Sequence, residues 1–410
     1  MSERRLENWL LAYRDYTEGT ESPQLFHLWV ALGVLAGAAQ RKIYLDVDYY
    51  QIHSNLYIVL CSPRGRSRKS TALRIGKNIL KSIAEYGDEV HFSTQASSVA
   101  ALVQQLAKIQ NKEHQSLTAS ISELGSMLGP KANEMTDFLT DIFDCNPDWD
   151  KQTIGRGLEK IERPWFNLMA GTTPQWLGEN LSKTAVEGGF VGRAIFIYED
   201  TRRRVARPKM TEHQRKLQTD LVYDLHLIAQ LKGQFRYSKE GGEYFDHWYN
   251  DLQDLNIDDK DIRLGGYYER KAVYVQKLSM LIALATGNNL ILDAFHTQAA
   301  LAMLEEIEPG MYRAFSSVGK NIYSADHERI KTQILSSAER GVPYKKIIAS
   351  NIHAIDKDVI DRILITLIEI GEIDRYEKVF YNKRLIHTIK VSTNETAPTK
   401  QDNTQQASRA

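Results

Sequence analysis

Apolar positions set out the elements of this chain before any chemistry enters. Leu6, Trp9, Leu10 and Tyr13 recur at helical spacing. Ser22-Pro23 then opens a second helix that runs to about Gln40. Its run LWVALGVLAGAA, residues 28–39, is too short to cross a bilayer and reads as a buried helix. IYLDVD (43–48) alternates as a strand does.

From residue 55 short apolar runs alternate with amphipathic stretches. NLYIVLC (55–61) predicts a strand, followed by a polar loop and a helix from about Ser70 to Tyr86. Further strands are expected at EVHF (89–92), LTASISEL (117–124), WFNLMAGTTP (165–174) and RAIFIYED (193–200), with helices at VAALVQQLAKIQ and EMTDFLTDIFD between them. Strands alternating with helices predict an α/β fold with a mostly parallel sheet covered on both faces.

Beyond residue 200 strand signals fade. A basic connector, RRRVARPK (202–209), leads into helices at roughly 211–231, 239–255, 268–286 and 293–317. Residues 327–390 read as a separate unit of three helices and a hairpin, the winged-helix pattern. In it Asp356 is the expected N-cap of the third helix and Gly371 its stop. The division that follows is an N-terminal helical region (1–45), an α/β core (46–205), a helical subdomain (206–320), a winged helix (325–390) and a disordered polar tail (391–410).

Composition adds little. Lys+Arg and Asp+Glu are 52 each, so net charge favours no nucleic-acid partner and only local patches can. Two cysteines, Cys61 and Cys145, and no zinc-type cluster fit a reduced cytoplasmic protein, and the charged N-terminus does not read as a signal peptide.

The chemistry concentrates in CSPRGRSRKSTALR, residues 61–74. Phosphate loops converge backbone N–H groups, a lysine and a magnesium-binding hydroxyl at a helix N-terminus. Lys69 and Ser70 occupy the two chemical positions, although Pro63 and Arg68 stand where the consensus has glycines. Residues 64–81 hold Arg64, Arg66, Arg68, Lys69, Arg74, Lys77 and Lys81 and no acid. Cations at a helix N-terminus oppose its dipole, so an anion is expected there.

Ser122-Glu123 ends the strand LTASISEL, where a carboxylate would polarise an attacking water or support magnesium. The bland alternative is a strand-terminal Glu facing solvent. Thr172 and Thr173 are candidates to sense a γ-phosphate, or simply turn residues before Pro174. Arg193, behind the glycine-rich turn at 188–192, is either an arginine finger acting on a neighbouring subunit or a surface ion pair. Arg270 and Lys271 are a candidate lid contact or solvated helix-start charges. The stretch 145–164 is a candidate DNA loop through Lys151, Arg156 and Lys160, with Trp149 as a stacking platform. In the wing, Arg375, Lys378, Lys383 and Arg384 suit backbone contact, and protein docking is an equal reading.

The order of these pieces resembles a known family. FHLWVALGVLAGAAQRKIYL, NLYIVLCSPRGRSRKSTAL, ISELGSML, FNLMAGTTPQWL, GGFVGRAIFIYED and KAVYVQKLSMLIALATGNN together cover roughly residues 20–315. They look like the phage- and plasmid-encoded helicase-like ATPases of a domain-of-unknown-function class found beside primases, within the RecA-like hexameric group. Members often carry a loop G-x-x-G-x-x-R-K-S-T, which Gly65, Arg68, Lys69, Ser70 and Thr71 match and Ser62 does not. The resemblance implies a RecA-like P-loop core, ATP hydrolysis with Mg2+, a homo-oligomer such as a hexamer, and a role in replicating phage or plasmid DNA beside a separate primase or initiator. It further implies an ATP-dependent helicase on single-stranded DNA. The alternative is a replication adaptor or helicase loader that uses ATP as an assembly switch, and a third option is a DNA-binding protein with a dead site.

Overall fold

The computed structural model describes residues 3–95, 98–111, 113–129, 132–153, 157–181, 189–201, 203–252, 262–315, 324–337, 341–376 and 378–382. The chain divides into two compact units, Met1–Gly319 and Lys320–Ala410. The regions expected at 1–45, 46–205 and 206–320 fall in the first unit, apart from residue 320.

In the first unit α1 (Trp9–Thr17) and α2 (Gln24–Ala39) precede β1 (Ile43–Asp46), β2 (Gln51–His53) and β3 (Tyr57–Cys61). Helix α2 is apolar all round, and Trp29, Leu32 and Leu35 are fully buried. Each such side chain contributes about 1.5–3 kcal/mol on leaving water, so α2 is an inner layer of the core. It lies against α3 (Lys69–Ser82) at very short range: a Cβ at Gly76 would sit 2.3 Å from Val30 Cγ1, and one at Gly37 would sit 2.5 Å from Leu80 Cδ2.

After α3 come α4 (Val99–Ala107), β4 (Gln115–Ile121), α5 (Leu124–Leu128) and α6 (Ala132–Phe143). Then follow β5 (Asp148–Thr153), β6 (Gly157–Glu162), β7 (Pro164–Thr172), α7 (Pro174–Asn180) and β8 (Ile195–Tyr198). The main sheet has the order β4-β7-β3-β8, and every pair in it is parallel. Strands β3 and β7 are buried along their whole length, as strands covered on both faces must be. The mixed α/β core with a parallel sheet is therefore as expected. At the outer edge the expected strand EVHF reduces to a single bridge, Phe92 to Thr118.

Two expectations are corrected. Residues 145–164 hold an antiparallel hairpin, β5 with β6, in place of an open loop. Both strands are mostly polar, and the cross-strand pair Trp149–Ile161 places two apolar residues opposite each other on one face. Strands also continue past residue 200. β9 (Gly233–Tyr237) pairs in parallel with β1, β10 (Ile291–Leu292) pairs in parallel with β9, and β2 closes a second sheet of order β10-β9-β1-β2. The helices around them, Glu212–Ala229, Lys239–Leu252, Lys271–Thr286 and Ala294–Ala314, match the expected positions.

The second unit contains helices Ser324–Leu335, Tyr344–Asn351 and Lys357–Glu369. Between and after them run β11 (Val342–Pro343), β12 (Ile373–Tyr376) and β13 (Val379–Asn382), an antiparallel sheet of order β11-β13-β12. Ile334, Ile347, Ile360, Leu367 and Ile373 form its core. Asp356 is the N-cap residue of the third helix, and Gly371, at φ 75°, follows its end in the left-handed conformation that glycine tolerates. Arg156, Lys383, Arg384, the tail 391–410 and the side chain of Lys151 lie outside the described residues.

Candidate functional site

The site is built at the carboxyl ends of the main-sheet strands. The chain leaves β3 towards β4, returns through β7 beside β3, and then passes to β8 on β3's other side. Strand order thus reverses around β3, and in parallel sheets ligands bind in the crevice such a switch point opens. A cleft of about 710 Å³ lies there, lined by Pro63 and Arg64 of the loop, by Glu123, Gly125 and Ser126, and by Thr173, Gln175, Trp176 and Glu179.

The loop between β3 and α3 is braced from three sides. Ser67 Oγ donates to the carbonyls of Glu199 (3.0 Å) and Thr201 (3.3 Å), which follow β8. Ser22 Oγ donates to the Arg68 carbonyl at 2.7 Å, and Arg68 Nε pairs with Glu21 at 2.8 Å. Arg66 N donates to the Pro63 carbonyl, closing a turn whose third residue, Gly65, has φ 71°. Arg68, which replaces the consensus glycine, adopts φ 47°, ψ 38°. That left-handed conformation costs a non-glycine residue about 1–2 kcal/mol; the contacts to Ser22 and Glu21 hold it.

Lys69 opens α3 and turns its ammonium back into the loop, donating to the Ser62 carbonyl at 3.0 Å and to Ser62 Oγ at 3.2 Å. Its side chain is buried. Burial lowers its pKa from the ordinary lysine value, opposed by the Glu123 carboxylate and then by Cys61. Burial also pushes the Cys61 thiol up to about 12, so it stays protonated. Ser70 is exposed at the second position of α3 and Thr71 is half-buried. Neither hydroxyl takes part in a hydrogen bond among the described residues.

Glu123 stands at the end of β4's chain as the N-cap residue of α5, and no N–H is bonded to its side chain. Its carboxylate forms no ion pair or hydrogen bond among the described residues. The position is fixed from behind: Gln95 donates to the Ser120 carbonyl at 2.8 Å and accepts from Ser122 N at 3.2 Å. The next strand crowds the same turn, because a Cβ at Gly171 would lie 2.5 Å from the Ser122 oxygen.

The two threonines separate. Thr173 caps α7, its hydroxyl accepting from Trp176 N at 3.1 Å. Thr172 pairs with Cys61 at the end of β7, is 1% exposed, and its hydroxyl has no partner. An unpaired buried hydroxyl costs about 1–3 kcal/mol; of the two threonines it is Thr173 that lines the cleft.

Arg193 is not brought to the loop of its own chain. It precedes β8, level with the start of β3, and is bound to Asp144 at 3.0 Å and to the Gly189 carbonyl at 3.4 Å. Lys271 is held by Glu308 at 2.6 Å. Trp149 packs edge-on against Phe138 at 5.1 Å, and Lys160 stands 3.5 Å from both Asp148 and Glu162. The contributions of Ser67, Glu21 and Gln95 carried no motif; each acts through folding partners remote in sequence.

No group of three or more His, Cys, Asp or Glu suited to a metal occurs among the described residues. Ser70 and Glu123 are nevertheless oxygen donors free of internal partners, the donor type Mg2+ takes when phosphates and water complete its shell. No protein-family model matches the chain, and none of the curated proteins is similar to it.

Proposed function

We propose that the chain is an ATP-hydrolysing motor on single-stranded DNA, the replicative helicase of a phage or plasmid, working as a homo-oligomeric ring. One observation carries the reading: Lys69, folded back into a braced strand–loop–helix, lies close enough to Glu123 for their charges to interact, and Glu123, otherwise without a partner among the described residues, lines the cleft together with Pro63 and Arg64 of the loop. The two come from strands that β7 separates.

In this reading the triphosphate takes the place of Ser62 as partner of Lys69, exchanging neutral acceptor oxygens for charged phosphate oxygens. N–H groups at the start of α3 meet the same phosphates. Ser70 and Glu123 hold Mg2+, which supplies charge neutralisation on the phosphate oxygens. Glu123 also orients the attacking water, and the Thr172 hydroxyl reports the γ-phosphate. Arg193 acts on a neighbour's nucleotide once Asp144 releases it. The second unit reads as a winged helix.

The test is titration with a fluorescent ATP analogue, followed by hydrolysis with and without single-stranded DNA. Lys69→Ala abolishes binding; Glu123→Gln keeps binding and loses turnover by at least about 100-fold. DNA stimulates the wild type. Absence of binding overturns the proposal, and binding with slow, DNA-independent turnover replaces the motor by the loader.

A further inference from the structure

We propose that the nucleic-acid track of this protein lies on the arginine-rich face beside the loop, where the connector after β8 supplies the phosphate contacts. The inference rests on the motor reading and names a surface that the hairpin and the wing do not include.

Three observations place the connector and the loop on one face. Ser67 of the loop donates to the Thr201 carbonyl. Glu21 bridges them, taking Arg68 Nε on one oxygen and the Val205 N–H, at 3.2 Å, on the other. Arg203 donates to the Glu18 carbonyl at 2.7 Å, which lays the connector along the turn between α1 and α2. Arg66 and Arg74 project from the loop and from α3, and Arg204, Arg207 and Lys209 from the connector, all exposed. None of these five forms an ion pair among the described residues.

Of the nearby acids among the described residues only Glu21 is paired with a cation, and Glu18, Glu199 and Asp200 keep their charge, three carboxylates against the five unpaired cations. Glu21 is spent on Arg68 and Val205, Glu199 accepts from the Thr201 N–H and hydroxyl, and Asp200 accepts from Tyr198 Oη at 3.5 Å. A face of this kind in a chain of zero net charge is a local anion-binding surface. Arginine forks suit phosphate oxygens. A row of cations on two separate segments outruns a single triphosphate, so it fits a repeating sugar–phosphate backbone. The rival surface is weaker: Lys160 of the β5–β6 hairpin has carboxylates on both sides and Trp149 is packed.

The experiment is fluorescence anisotropy of a labelled oligodeoxythymidylate over a salt series. It compares the wild type, the triple variant Arg204→Glu/Arg207→Glu/Lys209→Glu, and a control with Lys108→Glu and Lys239→Glu on other elements. All substituted positions are exposed, so folding is preserved. The expected result is loss of at least ten-fold in affinity for the triple variant and a slope of log affinity against log salt reduced by about 2, at about 0.7 per lost phosphate contact. The control binds as the wild type does. Binding of the fluorescent ATP analogue, measured alone, stays unchanged in the triple variant. Unchanged DNA affinity in the triple variant overturns the proposal. So does loss of ATP-analogue binding with DNA binding intact, which would assign the face to the nucleotide. Charge-dependent self-association without DNA binding would assign it to a protein partner. Failure of ATP-analogue binding in the wild type indicts the motor reading and leaves the DNA measurement to stand by itself.

Discussion

Gly171→Ala puts one methyl group where the structure has least room for it. The added Cβ would lie 2.5 Å from the Ser122 oxygen, and ordinary contact begins at 3.4 Å, so something must move by about 0.9 Å. The obstructing atom is backbone, pinned on its far side by Gln95, so no rotamer change relieves it. Overpacking of this kind costs about 1–3 kcal/mol. The displaced residue immediately precedes Glu123. A shift near 1 Å in a reacting group lowers turnover by about 100-fold. The assay is urea unfolding followed by far-UV circular dichroism, with ATP hydrolysis measured on the same protein. Gly33→Ala is the comparison: its Cβ would meet the buried Met169 side chain at 2.6 Å and no backbone atom within 3.3 Å, so it also loses stability but leaves the turn before Glu123 in place and keeps its turnover. Gly171→Ala with a wild-type midpoint and a wild-type rate would refute both the close approach and its link to Glu123.

Arg68→Gly is more stable than Arg68→Ala by about 0.5–1 kcal/mol: both lose the Glu21 pair, but only glycine relieves the left-handed strain, offset by its larger unfolded-state entropy. Urea midpoints of the two variants check the order, and an alanine variant at least as stable as the glycine one sinks the assignment. His27 and His53 are held neutral by burial, their pKa values lowered to about 4 and about 3. The unfolded chain binds these protons from about pH 6.5 downward and the folded one does not. Their joint contribution to stability is therefore fully present above pH 6.5 and falls by about 2–3 kcal/mol per pH unit as pH drops towards 4, and His114, lowered by burial to about 4 as well, steepens the total slope. Unfolding midpoints measured between pH 7.5 and 4.5 test the slope, and His27→Gln flattens it. Thr172→Val keeps the volume and removes an orphan hydroxyl, so stability is unchanged or rises by up to about 1 kcal/mol while turnover falls. Destabilisation of that variant would mean the hydroxyl already has a partner.

Much of the core was legible because its signals are local. The apolar α2, the strand–loop–helix around Lys69 and the glycine stop at Gly371 follow from period, capping and left-handed backbone preference, which neighbouring residues decide. What escaped depends on distant partners. GQFRY becomes β9 only because β1 offers a parallel edge, and EVHF stays a single bridge beside β4. DWDKQT and GLEKIE are too polar to announce a hairpin until Trp149 and Ile161 face each other. At the site, Lys69 and Glu123 could be named from their settings. The choice between Thr172 and Thr173 could not, because it turns on which hydroxyl the Trp176 amide claims.

The placing of β7 between β3 and β4 has a consequence for how much the loop can vary. Two ladder steps of about 4.8 Å each set the end of β3, from which the loop to Lys69 departs, and the end of β4, just before Glu123, roughly 10 Å apart. That gauge is cut by main-chain spacing within the sheet, which replacements in the loop do not rescale. A proline and an arginine can therefore occupy glycine positions in the loop without altering the gap that a substrate must span.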